Sequence, residues 1–95
     1  MSASGFGPRA VPVMSAQVKR LVVAYNAADL QVDATFARYD YHRKIGNTAL
    51  AAVAFSANRR AVAKKRVIEK RLRQFGIGWN VLVELRRMVP RGGAR

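Results

Sequence analysis

The sequence predicts an all-α fold: a long helical hairpin over about 15–44 and 48–75, a short C-terminal helix over about 79–89, and extended N- and C-terminal tails. Three observations carry this. No proline occurs between Pro12 and Pro90, and proline is the strongest helix breaker. Glycine occurs in that span only at 46, 76 and 78, which cuts it into three pieces. In the first two pieces apolar residues recur by threes and fours, the period of a buried helix face.

The first piece opens at Ser15, a residue type that caps helix N-termini by accepting a backbone N–H. Met14, Val18, Leu21, Tyr25, Ala28, Val32, Phe36 and Tyr39 form its apolar stripe. Asn26 to Asp29 (NAAD) is its weak point: a kink is expected there, or a break with Asp29 recapping the next turn. The second piece starts after Gly46, with Asn47 or Thr48 as the cap, and carries Leu50, Ala54, Ala57, Ala61, Ile68, Leu72 and Phe75 on one face. Seven of the 15 residues from Ala49 to Ala63 are alanine, the best helix former and one that lets a neighbouring helix approach closely. The hairpin contact is therefore expected through Leu21, Tyr25, Val32, Phe36, Leu50, Ala54 and Ala57. The third piece, Trp79 to Val89, reads two ways. Ile77, Trp79, Val81, Val83 and Leu85 alternate like a strand, whereas Leu82, Leu85 and Val89 fit a helix. With no second strand for pairing, the helix is the better reading, with Trp79 in the core.

Residues 1–14 are punctuated by Gly, Ser and Pro and read as an extended arm; 15–89 is one small domain; 90–95 (PRGGAR) is a basic tail. The arm lacks the apolar core of a secretory signal, and its freedom from acids leaves a mitochondrial presequence open. The longest uncharged apolar run, Ile45 to Asn58, has 14 residues, short of the roughly 20 that span a membrane.

Charge narrows the function. The 95 residues carry a formal charge of +13. It is skewed: 1–47 holds six Lys/Arg and three acids, whereas 48–95 holds twelve and two. Such an imbalance points to a polyanionic partner: RNA, DNA or anionic lipid. There is no cysteine, so neither a disulfide framework nor a thiolate metal site exists. His42 is the only histidine and has no metal-binding companion set. Asp29 and Asp33 share a helix face, where capping or pairing with Arg is the commoner use. Gly76-Ile77-Gly78 lacks the remainder of a phosphate loop. No enzyme signature, metal site or cofactor motif emerges.

The charge concentrates in Arg59 to Phe75 (RRAVAKKRVIEKRLRQF). Eight of its first 15 residues are Lys or Arg, and Glu69 is the one acid. At 100° per residue, Ala61, Ile68, Leu72 and Phe75 fall on one narrow seam. Arg59, Arg66, Lys70 and Arg73 form a column nearly opposite, and Arg60, Lys64 and Arg71 a second beside it. Lys65 stands alone at the edge of the seam. Arg60–Lys64 and Arg66–Lys70 are like-charge i,i+4 pairs that destabilise an isolated helix; Glu69–Arg73 is the one favourable pair. An ordinary solvated face mixes Glu with Lys, a disordered run would keep no seam, and a membrane-surface helix wants a broader apolar face. Nucleic acid fits best. Ala63 to Arg66 (AKKR) also matches a short nuclear-localisation pattern.

A second basic stretch, Arg38 to Lys44 (RYDYHRK), interleaves Arg38, Arg43 and Lys44 with aromatic rings. There Tyr41 is a candidate to stack on an unpaired base while the cations meet phosphate. Arg86, Arg87 and Arg91 extend the basic surface toward the C-terminus.

In composition and layout the chain resembles small basic helical proteins of ribosomes, including mitochondrial ones, which combine long helices, extended Gly/Arg tails and few acids with RNA as counter-surface. That resemblance implies a non-enzymatic structural subunit, located in the mitochondrion or in another ribosome, with rRNA and neighbouring protein subunits as partners and no small-molecule substrate. Two rival expectations stand beside it: an accessory subunit of a mitochondrial membrane complex, and a DNA-binding nucleoid-type protein.

Overall fold

The computed structural model describes residues 14–89, and these form three helices in the order α1 (Ala16–Lys44), α2 (Thr48–Gln74) and α3 (Trp79–Arg87). No strand occurs among the described residues. The arm up to residue 13 and the tail from residue 90 lie outside them. Met14, counted with the arm on sequence, packs against the core.

Each boundary follows from local chemistry. The Ser15 hydroxyl accepts the Val18 N–H at 3.1 Å, capping α1. At its other end Gly46 takes a positive φ of 79°. The Gly46 N–H donates to the Arg43 carbonyl and the Asn47 N–H to that of His42, the paired bonds of a Schellman stop. Asn47 then caps α2, its side-chain oxygen accepting from Leu50 N–H. One residue thus closes α1 and opens α2, which forces the chain to reverse sharply. The Gly76 turn repeats the device: Gly76 N–H to Arg73 and Ile77 N–H to Leu72, with φ again at 79°. Ile77 packs against the core cluster that contains Leu72, as the hydrophobic contact accompanying this motif requires.

α1 and α2 run antiparallel. Their contacts fix one register: Tyr25 meets Glu69, Asp29 meets Lys65, Val32 meets Asn58, and Tyr39 meets Phe55. α3 folds back over the end of the hairpin where α1 begins and α2 finishes. Val18, Val22, Tyr25 and Ala28 from α1, Ile68 and Leu72 from α2, and Leu82, Leu85 and Val89 from the C-terminal segment make up the core there. Farther along, the hairpin closes on small residues: Ala51, Ala54 and Thr35 are buried.

Several expectations are corrected by this packing. α1 runs through NAAD as one continuous helix, so the break with Asp29 recapping the next turn does not occur. Leu21 and Val32 are only half-buried, and Phe36 (57 % exposed) and Leu50 (46 %) stay at the surface. The reason is that α3 covers one end of the hairpin alone, so Phe36 has no third layer above it, and the seam of α2 is centred on Ala51 and Ala54 rather than Leu50. Phe75 is 48 % exposed because it is the C-cap, past the last helical turn. Trp79 is 59 % exposed: Leu82, Leu85 and Val89 define the buried stripe, which leaves the first residue of α3 on its flank.

Candidate nucleic-acid interface

The seven cations of the two columns sit on α2, whose inward face is held by Ala51, Ala54, Ile68 and Leu72. That anchoring fixes the rotation of the helix and turns both columns outward. Arg59, Arg60, Lys64, Arg66, Lys70, Arg71 and Arg73 are all exposed. None of the seven has an ion pair or side-chain hydrogen bond among the described residues. The chain has only five acids, and Asp29, Asp40, Glu69 and Glu84 have partners outside the columns. Glu69, expected to pair with Arg73, instead accepts the Tyr25 hydroxyl at 3.2 Å. Between the columns lies an apolar strip that includes Val67, 58 % exposed, and a shallow depression lined by Arg66, Val67, Lys70, Arg71 and Gln74.

On the α1–α2 seam beside the second column, a groove floored by Ala28, Thr35, Ala57 and Ala61 carries Arg60 and Lys64 on its rim. The floor is shallow because the helices meet through small side chains. The Thr35 hydroxyl donates to the Gln31 carbonyl at 2.6 Å and accepts from Asn58, which also donates to the Val32 carbonyl at 2.9 Å. These polar ties lock the register without bulk.

Two cations are withdrawn from the surface. Asp29 accepts from Lys65 at 2.7 Å and from Arg86 at 2.8 Å, and Arg86 also donates to Asn26 Oδ1 at 2.6 Å. Lys65 and Arg86 both lie over the Tyr25 ring, at 5.3 and 4.9 Å from its centre, within cation–π range. Hydrogen bonding from Lys65, joined by Arg86, holds the Asp29 carboxyl below its ordinary range against the opposing effect of burial, and the same bond raises Lys65. Burial pushes the Tyr25 hydroxyl up, with Glu69 adding to it while Lys65 and Arg86 oppose. Arg86, expected at the nucleic-acid surface, is thus committed to binding α3 onto α1. Sequence reading missed this network; the polar interruption Asn26–Asp29 and the isolated position of Lys65 were its traces.

The second stretch is divided. Arg38 is exposed and Tyr41 is 61 % exposed, its ring edge-on to His42 at 5.3 Å. Arg43 and Lys44 share Asp40 at 3.1 and 3.0 Å, and these bonds, that from Lys44 first, keep the Asp40 carboxyl below its usual range. Arg87 is exposed and reaches Glu84 at 4.0 Å. Arg91 lies outside the described residues. Among the described residues no group of three or more His, Cys, Asp or Glu is placed to hold a metal, and no helix is long and apolar enough to cross a membrane.

The chain matches no protein-family profile, and no curated protein or solved structure is significantly similar to it.

Proposed function

We propose that this protein is a non-enzymatic RNA-binding structural subunit of a large ribonucleoprotein, with a ribosome, mitochondrial in particular, as the assembly that fits its character. The observation that carries the reading is the set of seven exposed α2 cations without a side-chain partner among the described residues. An ion pair on a helix face offsets its own charge locally; these columns have none among the described residues and favour an external polyanion, whose binding releases condensed counterions. Arginine makes up five of the seven, and its planar fork suits bidentate phosphate contact. Recognition through such contacts follows backbone and shape more than base sequence.

The test is a salt titration of binding to a structured RNA, with a DNA duplex of equal length as the comparison. The affinity for RNA is expected to fall steeply with salt. The triple variant Arg66→Gln, Lys70→Gln, Arg73→Gln should flatten the log–log slope by roughly 2 to 3, about one for each phosphate no longer neutralised. An unchanged slope in that variant would remove the columns as the binding surface, and tighter binding to DNA would favour the nucleoid reading. Fractionation of the tagged chain decides the assembly: ribosomal subunits are expected, and recovery in a detergent-solubilised membrane complex would overturn the proposal.

A further inference from the structure

α3 covers only one end of the hairpin, and the uncovered part carries a cluster of three aromatic rings in contact. Phe36 is 57 % and Phe55 47 % exposed, with Tyr39 half-buried between them. The ring centres lie 6.2 Å (Phe36–Tyr39) and 5.5 Å (Tyr39–Phe55) apart, tilted by 43° and 49°. The platform is continuous with the first basic column. At 100° per residue Phe55, Arg59, Arg66 and Arg73 fall within a 40° arc of α2, and Arg59 follows Phe55 by about one turn, some 5.4 Å. Along α2 the cations therefore lead up to Phe55, and across the hairpin from Phe55 follow Tyr39 and Phe36 on α1.

We infer that this face takes RNA with unpaired bases, its phosphates running along Arg73, Arg66 and Arg59 toward the ring cluster, where the bases beyond Arg59 turn inward to stack on Phe36, Tyr39 and Phe55. This deepens, and rests on, the RNA-binding reading above. Aromatic rings beside a cationic track are what single-stranded segments use, because every base has a face to stack while its phosphate needs a counter-charge. A second copy of this chain is a poor occupant, since docking here would bring together the exposed cations of two chains, each with a net charge of +13. Tyr41, the ring that sequence alone nominated for stacking, points elsewhere on α1: its angular position is 140° from Phe36.

The experiment compares three forms of one RNA: a stem-loop with 2-aminopurine in the loop, the same stem closed into an uninterrupted duplex, and the loop strand alone. The wild-type chain should prefer the two forms with unpaired bases and quench 2-aminopurine. Phe36→Leu with Phe55→Leu keeps apolar volume but removes the rings. It should weaken stem-loop binding by about tenfold for each base that no longer stacks, with duplex affinity, salt slope and helical circular dichroism unchanged. Equal binding of stem-loop and duplex, unaffected by the double variant, overturns the platform while the phosphate-binding reading stands. Failure of the wild type to bind any of the three overturns both. A free chain that sediments as a dimer and becomes monomeric with Phe36→Ser assigns the patch to a second copy and likewise overturns the inference.

Discussion

Asp29 places one carboxylate between cations from two other helices, and that side chain adds a polar tie to the apolar packing of Leu82, Leu85 and Val89 that holds α3 on the hairpin. Its side chain is only 18 % exposed, so removing the charge leaves Lys65 and Arg86 facing each other with little water to screen them. Asp29→Asn keeps the shape and should destabilise the fold at neutral pH by about 2 kcal/mol, the scale of charge-assisted hydrogen bonds. The pH dependence has a definite sign. The folded carboxyl titrates below its ordinary value of 3.8, so its contribution is complete above that value and is lost as pH falls through the folded one. Lys65 is raised above 10.5, and its share is lost only as pH rises past its folded value. Urea unfolding of the wild type and Asp29→Asn at pH 7 and pH 3 should show a gap at the first and a smaller one at the second. Equal stability at pH 7 would mean that the triad is incidental to the fold.

At the scale of elements, two glycines separated by one residue behave differently. Gly76 has φ +79°, whereas Gly78 caps α3 in extended geometry, and an added Cβ would meet nothing at either. Gly76→Ala should cost about 1 kcal/mol, because L-residues disfavour the left-handed conformation. Gly78→Ser should add a few tenths of a kcal/mol by supplying the side-chain cap that α3 lacks. Thermal unfolding of the two variants should move in opposite directions, and a shared sign would contradict the turn geometry. These turns also mark what was legible in the sequence. Ser15, Gly46, Asn47 and Gly76 act through bonds to residues at most five away, so spacing alone located the helix ends. The outward turn of the α2 columns was legible for the same reason, since it follows from periodicity. The exposure of Phe36, Leu50 and Trp79 was not, because it depends on how far α3 reaches along the hairpin, on which residues centre the α2 seam and on how α3 is rotated against the core. Nor was the binding role of Arg86, whose partners Asn26 and Asp29 are 60 and 57 residues away in the chain.

The molecule as a whole carries its charge in tension with its own stability. Arg60–Lys64, Arg66–Lys70 and Lys70–Arg73 are like-charge neighbours one turn apart on an exposed face, each unfavourable by a few tenths of a kcal/mol. The screening length is about 30 Å at 10 mM salt and about 10 Å at 100 mM. The columns therefore repel as a unit in dilute buffer and only locally at higher ionic strength. Thermal stability should rise with NaCl, by a few degrees, since about 1 kcal/mol shifts the midpoint of a domain this size by roughly 4–8 °C. The triple variant Arg66→Gln, Lys70→Gln, Arg73→Gln should melt above the wild type at 10 mM NaCl, with the difference closing as salt is added. Ligand linkage then reverses the order. A stem-loop RNA at 100 times its dissociation constant stabilises the folded wild type by about 2.7 kcal/mol, and the variant, at the same RNA concentration, by much less. Melting curves by circular dichroism, with and without RNA, read both effects. A wild type insensitive to salt and to RNA would show that the columns are an inert solvated face. A crossover, with the variant more stable alone and the wild type more stable when bound, is expected of a surface that trades its own stability for a polyanion.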